Sequence, residues 1–363
     1  MFELTSGLTL WLLICLSVAA ILSIALLWQK LFRKGFLNFF TRLLLLLLCQ
    51  VLILSTVGIA INRSNGFYTS WSDLMGKPVD FSATVISSNQ ATTLDTSILE
   101  GASKAQGGQL ILKEIVKGQN SGISNVVYLV LPKSVVSSIR NGKPIDMTRT
   151  KVVELLAGYP SQPEFWLRSL NIAQALAYSP KANPGISIIG VIPAVNVAGK
   201  EDLECMNFPN GGIQTETWLS TDLHSFVNRR LGIAPSRWGL MGVSTGGWCS
   251  AMLSIKHEDL FSAAVSIAGY YRPALNKKTD PVAKLQLEKD YEFSKLEQAM
   301  TGTMDMLLIA SVGDIYSFKE TNKFRALPHP TINYQYIEIA SGGHNARVWI
   351  SQLSGALDWL KKH

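Results

Sequence analysis

The five residues Gly242-Val-Ser-Thr-Gly246 constrain this chain more than any other stretch. They match G-x-S-x-G, the pattern of a serine lifted on a sharp turn between a strand and a helix. A serine held there adopts a strained backbone conformation. Strand and helix pass within contact distance, so the residues two places to either side have to be small. The flanks agree: Arg237-Trp-Gly-Leu-Met is a short apolar strand candidate, and Trp248-Cys-Ser-Ala-Met-Leu-Ser-Ile255 reads as the start of a buried helix. Ser244 is therefore the candidate nucleophile, the alternative being a surface serine in a glycine-rich turn.

A chain of 363 residues has room for a membrane anchor and one large α/β domain. The hydrophobic fraction of 47% is high for a soluble protein, and the excess lies at the N-terminus. Leu8 to Trp28 is an uncharged apolar run, and Leu43 to Ile61 is a second whose only strongly polar side chain is Gln50. Each has the length that spans a hydrocarbon core. A cleaved signal is the rival reading of the first run, but Glu3 is the only charge before it and a second span follows directly. Residues 1–62 are thus expected to form an anchor with two transmembrane helices, over about 8–28 and 43–61.

Charge sets the orientation. The connector Gln29 to Thr41 carries Lys30, Arg33 and Lys34, with Arg42 at its edge, and no acidic residue. The positive-inside rule places it in the cytoplasm and everything after Ile61 outside, a helical hairpin of opposite sense being the alternative. Residues 63–106 read as an extracytoplasmic tether rich in small polar residues, with Phe67, Tyr68 and Trp71 close to the membrane edge. Residues 107–363 form the folded domain. The net charge of +7 belongs partly to the connector, and no basic stripe with interleaved aromatics marks a nucleic-acid partner. The partners implied are a lipid bilayer and a small substrate.

Cysteine usage fits that compartment. Cys15 and Cys49 lie within the spans as small apolar residues, which leaves Cys205 and Cys249 as the pair in the domain. An even pair in an oxidising compartment invites a disulfide, and two separate buried thiols are the alternative. No Cys-x-x-Cys pair or His-x-x-x-His spacing appears, so neither a metal nor a cofactor is expected.

From Gly108 the pattern becomes globular. Gln109 to Val116 and Asn125 to Leu131 predict an antiparallel opening pair across a Gly-, Asn- and Ser-rich turn. Strands and helices then alternate. Strand candidates begin at Lys151, Ile186, Arg237, Ala263, Asp305 and Ile332, and helices are predicted over about Pro163–Tyr178, Glu216–Leu231 and Ala346–Lys362. Such alternation means an α/β fold with a mostly parallel sheet covered on both faces. Its reactive residues belong in loops beyond the C-terminal ends of the strands. If consecutive strands are neighbours, the long Pro193 to Thr215 loop folds over the elbow helix and brings Cys205 to Cys249.

Those loops hold candidate partners for Ser244. A serine hydroxyl needs a histidine base, oriented and supported by an acid. His224 precedes the elbow, His257 sits at a charged helix end, His329 lies between two prolines before a strand, and His363 is terminal. His344, in Ala340-Ser-Gly-Gly-His-Asn-Ala, follows the last strand directly and is the candidate base. The order Ser…Asp/Glu…His confines the acid to residues 245–343. Asp314, just past the strand Met306-Leu-Leu-Ile-Ala-Ser, is favoured, with Glu320 its rival and a plain helix cap its alternative role. Asp305 begins the same strand and belongs at the wrong end, while Asp280, Glu288 and Asp290 lie in a Lys-rich excursion. Oxyanion donors are expected from the backbone N–H of Thr245 and of Tyr159, the latter in Leu156-Ala-Gly-Tyr-Pro-Ser161.

The domain from about Gly108 onward resembles the putative-esterase branch of the α/β-hydrolases, which includes esterase D-like enzymes and the secreted mycolyltransferases. The resemblance is carried by Ala157-Gly-Tyr-Pro with Trp166, Thr217-Trp-Leu-Ser-Thr-Asp-Leu, and Gly242-Val-Ser-Thr-Gly-Gly. Ser266-Ile-Ala-Gly-Tyr-Tyr-Arg-Pro273 and Gly342-Gly-His-Asn-Ala-Arg-Val-Trp349 follow in the family's order. The anchored layout, with Asp202-Leu-Glu-Cys205 and Gly247-Trp-Cys249, is similar to actinobacterial members. The mycolyltransferases carry an aspartate before the glycine of the Leu156–Ser161 loop and an arginine after it, contacting a sugar acceptor. Here those places hold Ala157 and Pro160, so the resemblance implies ester chemistry without that sugar contact. It implies an α/β-hydrolase fold and a membrane-tethered serine esterase or acyltransferase, with an ester substrate and water or a hydroxylated acceptor. A silent member of the fold that binds or scaffolds envelope material is the alternative.

Overall fold

The structure, a computed structural model of Met1–His363, describes residues 6–31, 36–65, 86–88, 93–100, 102–178, 185–199, 201–234, 236–275 and 278–363. The chain divides into two compact units, Met1–Asp80 with Asn345–Arg347, and Phe81–His344 with Val348–His363.

The first unit contains a pair of helices, Gly7–Leu31 and Phe36–Asn65. Within them Gly7–Leu26 and Asn38–Asn62, with mean hydropathies of 2.5 and 2.6, are long and apolar enough to cross a membrane. Large apolar side chains such as Trp11, Leu26, Leu44 and Leu54 stand exposed around the pair, an arrangement costly in water and natural in lipid. The hydroxyls of Ser17 and Thr56 each donate to the carbonyl one turn earlier, Leu13 and Leu52, and meet each other at 3.1 Å between the helices. Arg33, Lys34, Phe67, Tyr68 and Trp71, which carried the expectations about orientation and the membrane edge, lie outside the described residues.

The second unit is built on one sheet. Its strands are β1 (Ile86–Ser88), β2 (Ser103–Lys104), β3 (Leu110–Lys117), β4 (Ser124–Leu131), β5 (Thr150–Leu156), β6 (Ser187–Pro193), β7 (Trp238–Val243), β8 (Phe261–Ile267), β9 (Met304–Ser311) and β10 (Ile332–Ile339). Their order is β1-β3-β4-β6-β5-β7-β8-β9-β10, with β2 on β3. β3 and β4 form the expected antiparallel pair, and β4 runs antiparallel to β6. From β6 to β10 every pairing is parallel. Every residue of β7 is buried, as a central strand covered on both faces requires. Helix Thr245–Lys256 is buried from Thr245 through Ile255 and packs behind that strand. At the edge, β10 buries only Ile332, and its other positions are half-buried or exposed.

Three expectations need correction. The segment 63–106 is more than a tether: β1 pairs in parallel with β3, helix Thr96–Glu100 buries Leu99, and β2 pairs with β3. The helix expected over Pro163–Tyr178 breaks into Glu164–Arg168 and Ile172–Tyr178, because Asn171 between them takes φ 49°. Consecutive strands are not all neighbours, since β5 lies between β6 and β7.

The loop after β6 nonetheless reaches the elbow helix. Cys205 and Cys249 form a disulfide with Cα atoms 5.7 Å apart, and the indole N–H of Trp248 donates to the Glu204 carbonyl at 3.1 Å. The covalent loop closes over a sequence separation of 44, which the chain-entropy model values at about 4 kcal/mol. Protein exported through the membrane should therefore yield a single linked Cys205–Cys249 peptide in an unreduced digest. Reduction should lower its melting temperature. Two separate thiol peptides by mass spectrometry would refute the linkage.

Candidate active site

The elbow is built by two backbone approaches that leave no room for a side chain. A Cβ on Gly242 would lie 1.8 Å from the Gly246 carbonyl oxygen, and one on Gly246 would lie 2.1 Å from the Leu156 oxygen. Between them Ser244 takes φ 57° and ψ −121°, a conformation that non-glycine residues rarely adopt. Its N–H donates to the Ile267 carbonyl at 2.9 Å, and its carbonyl accepts from Gly247 and Trp248 in the first turn of the helix. The side chain is thus held at the junction of β7 and the helix.

Two other strand ends deliver polar groups to the same place. Asp314 follows β9 and is the N-cap of helix Ile315–Arg325, its Oδ1 accepting from Ser317 N–H at 3.4 Å. Its other oxygen, Oδ2, lies 2.5 Å from His344 Nδ1. The His344 loop is tied back to β9, where Ser311 Oγ donates to Gly342 O and Val312 N–H donates to Ile339 O at 2.9 Å. His344 Nε2 lies 2.8 Å from Ser244 Oγ. The Trp349 ring stands edge-on to the imidazole at 4.9 Å. Asp314 is an acceptor on Nδ1, so the proton belongs there and Nε2 is left to accept from the serine hydroxyl. Burial pushes the Asp314 carboxyl up, but hydrogen bonds from His344 and Ser317 outweigh it and hold the group below its ordinary range.

The other candidates go elsewhere. Glu320 accepts from Arg272 at 3.1 Å and from Lys323 at 2.7 Å. His224 is buried and stacked on Trp238 at 3.5 Å, and burial pushes its imidazole down to about 3. His257 lies 2.8 Å from the buried Glu216, so it belongs to a packed polar contact rather than to open surface. His329 lies 2.8 Å from Glu297, and His363 lies 3.1 Å from Asp305.

Thr245 is the first residue of the elbow helix, where the backbone N–H has no acceptor within the helix. The Leu156–Ser161 loop presses against Ser244, since a Cβ on Gly158 would lie 2.8 Å from the serine Cβ. Tyr159 follows directly and is partly exposed. Sequence reasoning overlooked Asn196, just beyond β6, whose amide donates to Ser161 O at 2.6 Å and fixes this loop. Its only signal was a buried-type asparagine at the C-terminal end of a strand. Glu204 and Tyr270, which lie behind Thr245, were quoted only as neighbours of matching residues.

Fold and site define the class, a mostly parallel α/β-hydrolase-like sheet with a serine elbow, a histidine and an aspartate at its C-terminal edge. Residues 147–360 match the family described as "Putative esterase", and the chain belongs to that family. An uncharacterized protein of Corynebacterium glutamicum is 23% identical over 227 residues, covering 58% of this chain and 52% of the relative. The MPT51 antigen of Mycobacterium leprae is 29% identical over 131 residues, covering 35% and 43%. The chain thus spans about half the length of the curated relatives it matches. A solved ferulic acid esterase shares the fold, with a TM-score of 0.57 at 16% identity over 70% of this chain and 98% of that one.

The elbow geometry yields a direct test. Gly242→Ala forces the Gly246 carbonyl away, and overpacking strain of about 1–3 kcal/mol should slow labelling of Ser244 by a fluorophosphonate about tenfold or more. Gly355→Ala, on the closing helix with nothing within 4 Å, should label at the wild-type rate. Equal labelling of both variants would refute the crowding argument.

Proposed function

We propose that the chain is a membrane-tethered, extracytoplasmic serine esterase or acyltransferase working through an acyl-enzyme. The observation that carries this reading is the continuous Ser244–His344–Asp314 relay, at 2.8 and 2.5 Å, set on a strained elbow. Membership of the esterase family supports the reaction class. The two apolar helices support attachment to a bilayer, and the basic connector supports the outward orientation of the domain.

In this mechanism Ser244 Oγ attacks the ester carbonyl carbon while its proton passes to His344 Nε2. The carbonyl electron pair moves onto oxygen, and the oxyanion accepts from the N–H groups of Thr245 and Tyr159. Collapse breaks the ester C–O bond, and the leaving alkoxide takes the proton from His344. Water or a hydroxyl acceptor then gives its proton to the same nitrogen and attacks the acyl-enzyme, releasing Ser244 by the reverse sequence. Asp314 stays ionised throughout, fixing the Nδ1–H tautomer and stabilising the imidazolium. The capped, hydrogen-bonded state of its carboxylate supports that role. Acyl groups on cell-envelope molecules are the substrates that such an anchored enzyme would meet. Ala157 and Pro160 in the acceptor-side loop favour an acceptor other than the sugar held there by the mycolyltransferases.

Ser244→Ala should abolish ester turnover and leave the fold intact, and His344→Ala should cost nearly as much because such residues act as a unit. Asp314→Asn should lower kcat by roughly 10⁴-fold. Near-wild-type turnover in Ser244→Ala, or a dead Glu320→Gln beside an active Asp314→Asn, would overturn the assignment. For the topology, protease added to intact spheroplasts should remove the domain after Ile61, whereas protection of that domain would reverse the orientation.

A further inference from the structure

The mechanism uses the backbone N–H of Thr245 and leaves its hydroxyl without a task. Thr245 Oγ1 lies 3.1 Å from Tyr270 Oη, which in turn lies 2.7 Å from Glu204 Oε1. All three residues are buried. Glu204 is held from every side. Its N–H donates to Asp202 Oδ1 at 3.1 Å, its carbonyl accepts from Trp248 Nε1, and its second carboxyl oxygen accepts from Ala274 N–H at 3.3 Å. Glu204 and Cys205 occupy the left-handed region in succession, at φ 52° and 59°, and the next bond is the disulfide to the elbow helix. Two successive non-glycine residues are kept in such a conformation only where the surroundings enforce it.

The proton count along this row of oxygens gives two states. A tyrosine hydroxyl has one proton to donate. With Glu204 protonated, its carboxyl donates to Tyr270 and Tyr270 donates to Thr245 Oγ1, so the threonine proton is not drawn toward Tyr270. With Glu204 ionised, Tyr270 donates to the carboxylate and Thr245 donates backward to Tyr270. A negative charge then stands two hydrogen bonds behind the residue that faces the oxyanion.

We propose that Glu204 and Tyr270 are positioning residues for the oxyanion site, and that acylation of Ser244 is fast with Glu204 protonated and slow once it ionises. The inference rests on the esterase reading given above. The surroundings set where the change falls. Burial and then the Asp202 carboxyl push the Glu204 carboxyl up to about 8, against the bonds from Tyr270 and Ala274 and the more distant charge of Arg272. Arg272 is itself engaged by Glu320 at 3.1 Å, and Tyr316, on the helix after Asp314, also faces Glu204. The elbow helix contributes only the neutral Thr245 and Trp248. The protonated state therefore holds below about pH 8 and the ionised state above it.

The test is the rate of fluorophosphonate labelling of Ser244 in the full chain, with kcat and KM on an ester, between pH 6 and 10. The wild type should slow roughly tenfold across a midpoint near 8, less than the ~10²–10³ that losing an oxyanion donor costs. The change should appear in kcat and leave KM in place. Glu204→Gln, which cannot ionise, should lose the step near pH 8, and Tyr270→Phe should also lose it because the row is cut. Tyr270→Phe keeps the ring that stacks on Trp248, so it carries the test should Glu204→Gln fail to fold. A step near pH 8 that survives in either folded variant overturns the inference alone. A wild-type chain that is never labelled at Ser244 overturns the esterase reading and this inference with it.

Discussion

The rest of the domain depends on one steric fact, the approach of the Gly246 carbonyl to the Cα of Gly242. Because strand and helix touch there, Ser244 has nowhere to relax and its side chain stands out from the turn. The same crowding fixes the helix against β5, whose Leu156 oxygen lies under Gly246. The loop leaving β5 is thereby held against the serine, and its Gly158 packs on the serine Cβ. A backbone constraint thus positions both the Ser244 side chain and the loop that packs on it. Very little of this positioning relies on flexible side chains.

The polar side of the site follows from the direction of the strands. Parallel strands end at one edge of the sheet, so the loops after β5, β7 and β9 and the one after β10 converge there. Asp314 shows how a single carboxylate serves two demands. One oxygen caps the helix that follows β9, and the other holds His344. The reading of this residue as a helix cap and its reading as a histidine partner are therefore compatible. The cap fixes the carboxylate that orients the imidazole. Glu320 lies six residues further along the same helix, where Arg272 and Lys323 occupy its oxygens.

How much of this was legible varied with the kind of signal. The elbow was readable because its requirement is local: two glycines at fixed spacing around a serine. The placement of His344 and Asp314 beside Ser244 was readable from chain order and from apolar runs that end just before them. The edge strand β1 was not, because three residues of which two are serines carry no apolar alternation, and pairing with β3 uses only backbone groups. Nor was the exchange of β5 and β6, since strand order depends on crossovers that leave no trace in periodicity. The break at Asn171 was hidden by apolar residues that continue helical spacing on both sides of it. Asn196, Glu204 and Tyr270 were missed for a shared reason. Each acts through a partner distant in sequence, and single polar residues in loops look alike until the fold brings those partners together.

The exchanged strands also explain why the segment after β6 has to be long and braced. From the end of β6 the chain must cross beyond β5 to reach the helix behind β7, and the described residues 194–199 and 201–214 on that path hold little regular structure. A loop of that length has few backbone bonds of its own to hold it. Among its fixed points are three from the elbow helix and the loop after β8: the disulfide at Cys249, the indole of Trp248, and the hydroxyl of Tyr270. Those anchors meet at Glu204 and Cys205, the two adjacent residues with positive φ. The loop and Ser244 are thus joined through one helix, whose first turns carry the contacts at Thr245, Trp248 and Cys249. The loop and the Ser244 turn share one brace, the backbone of Thr245–Cys249.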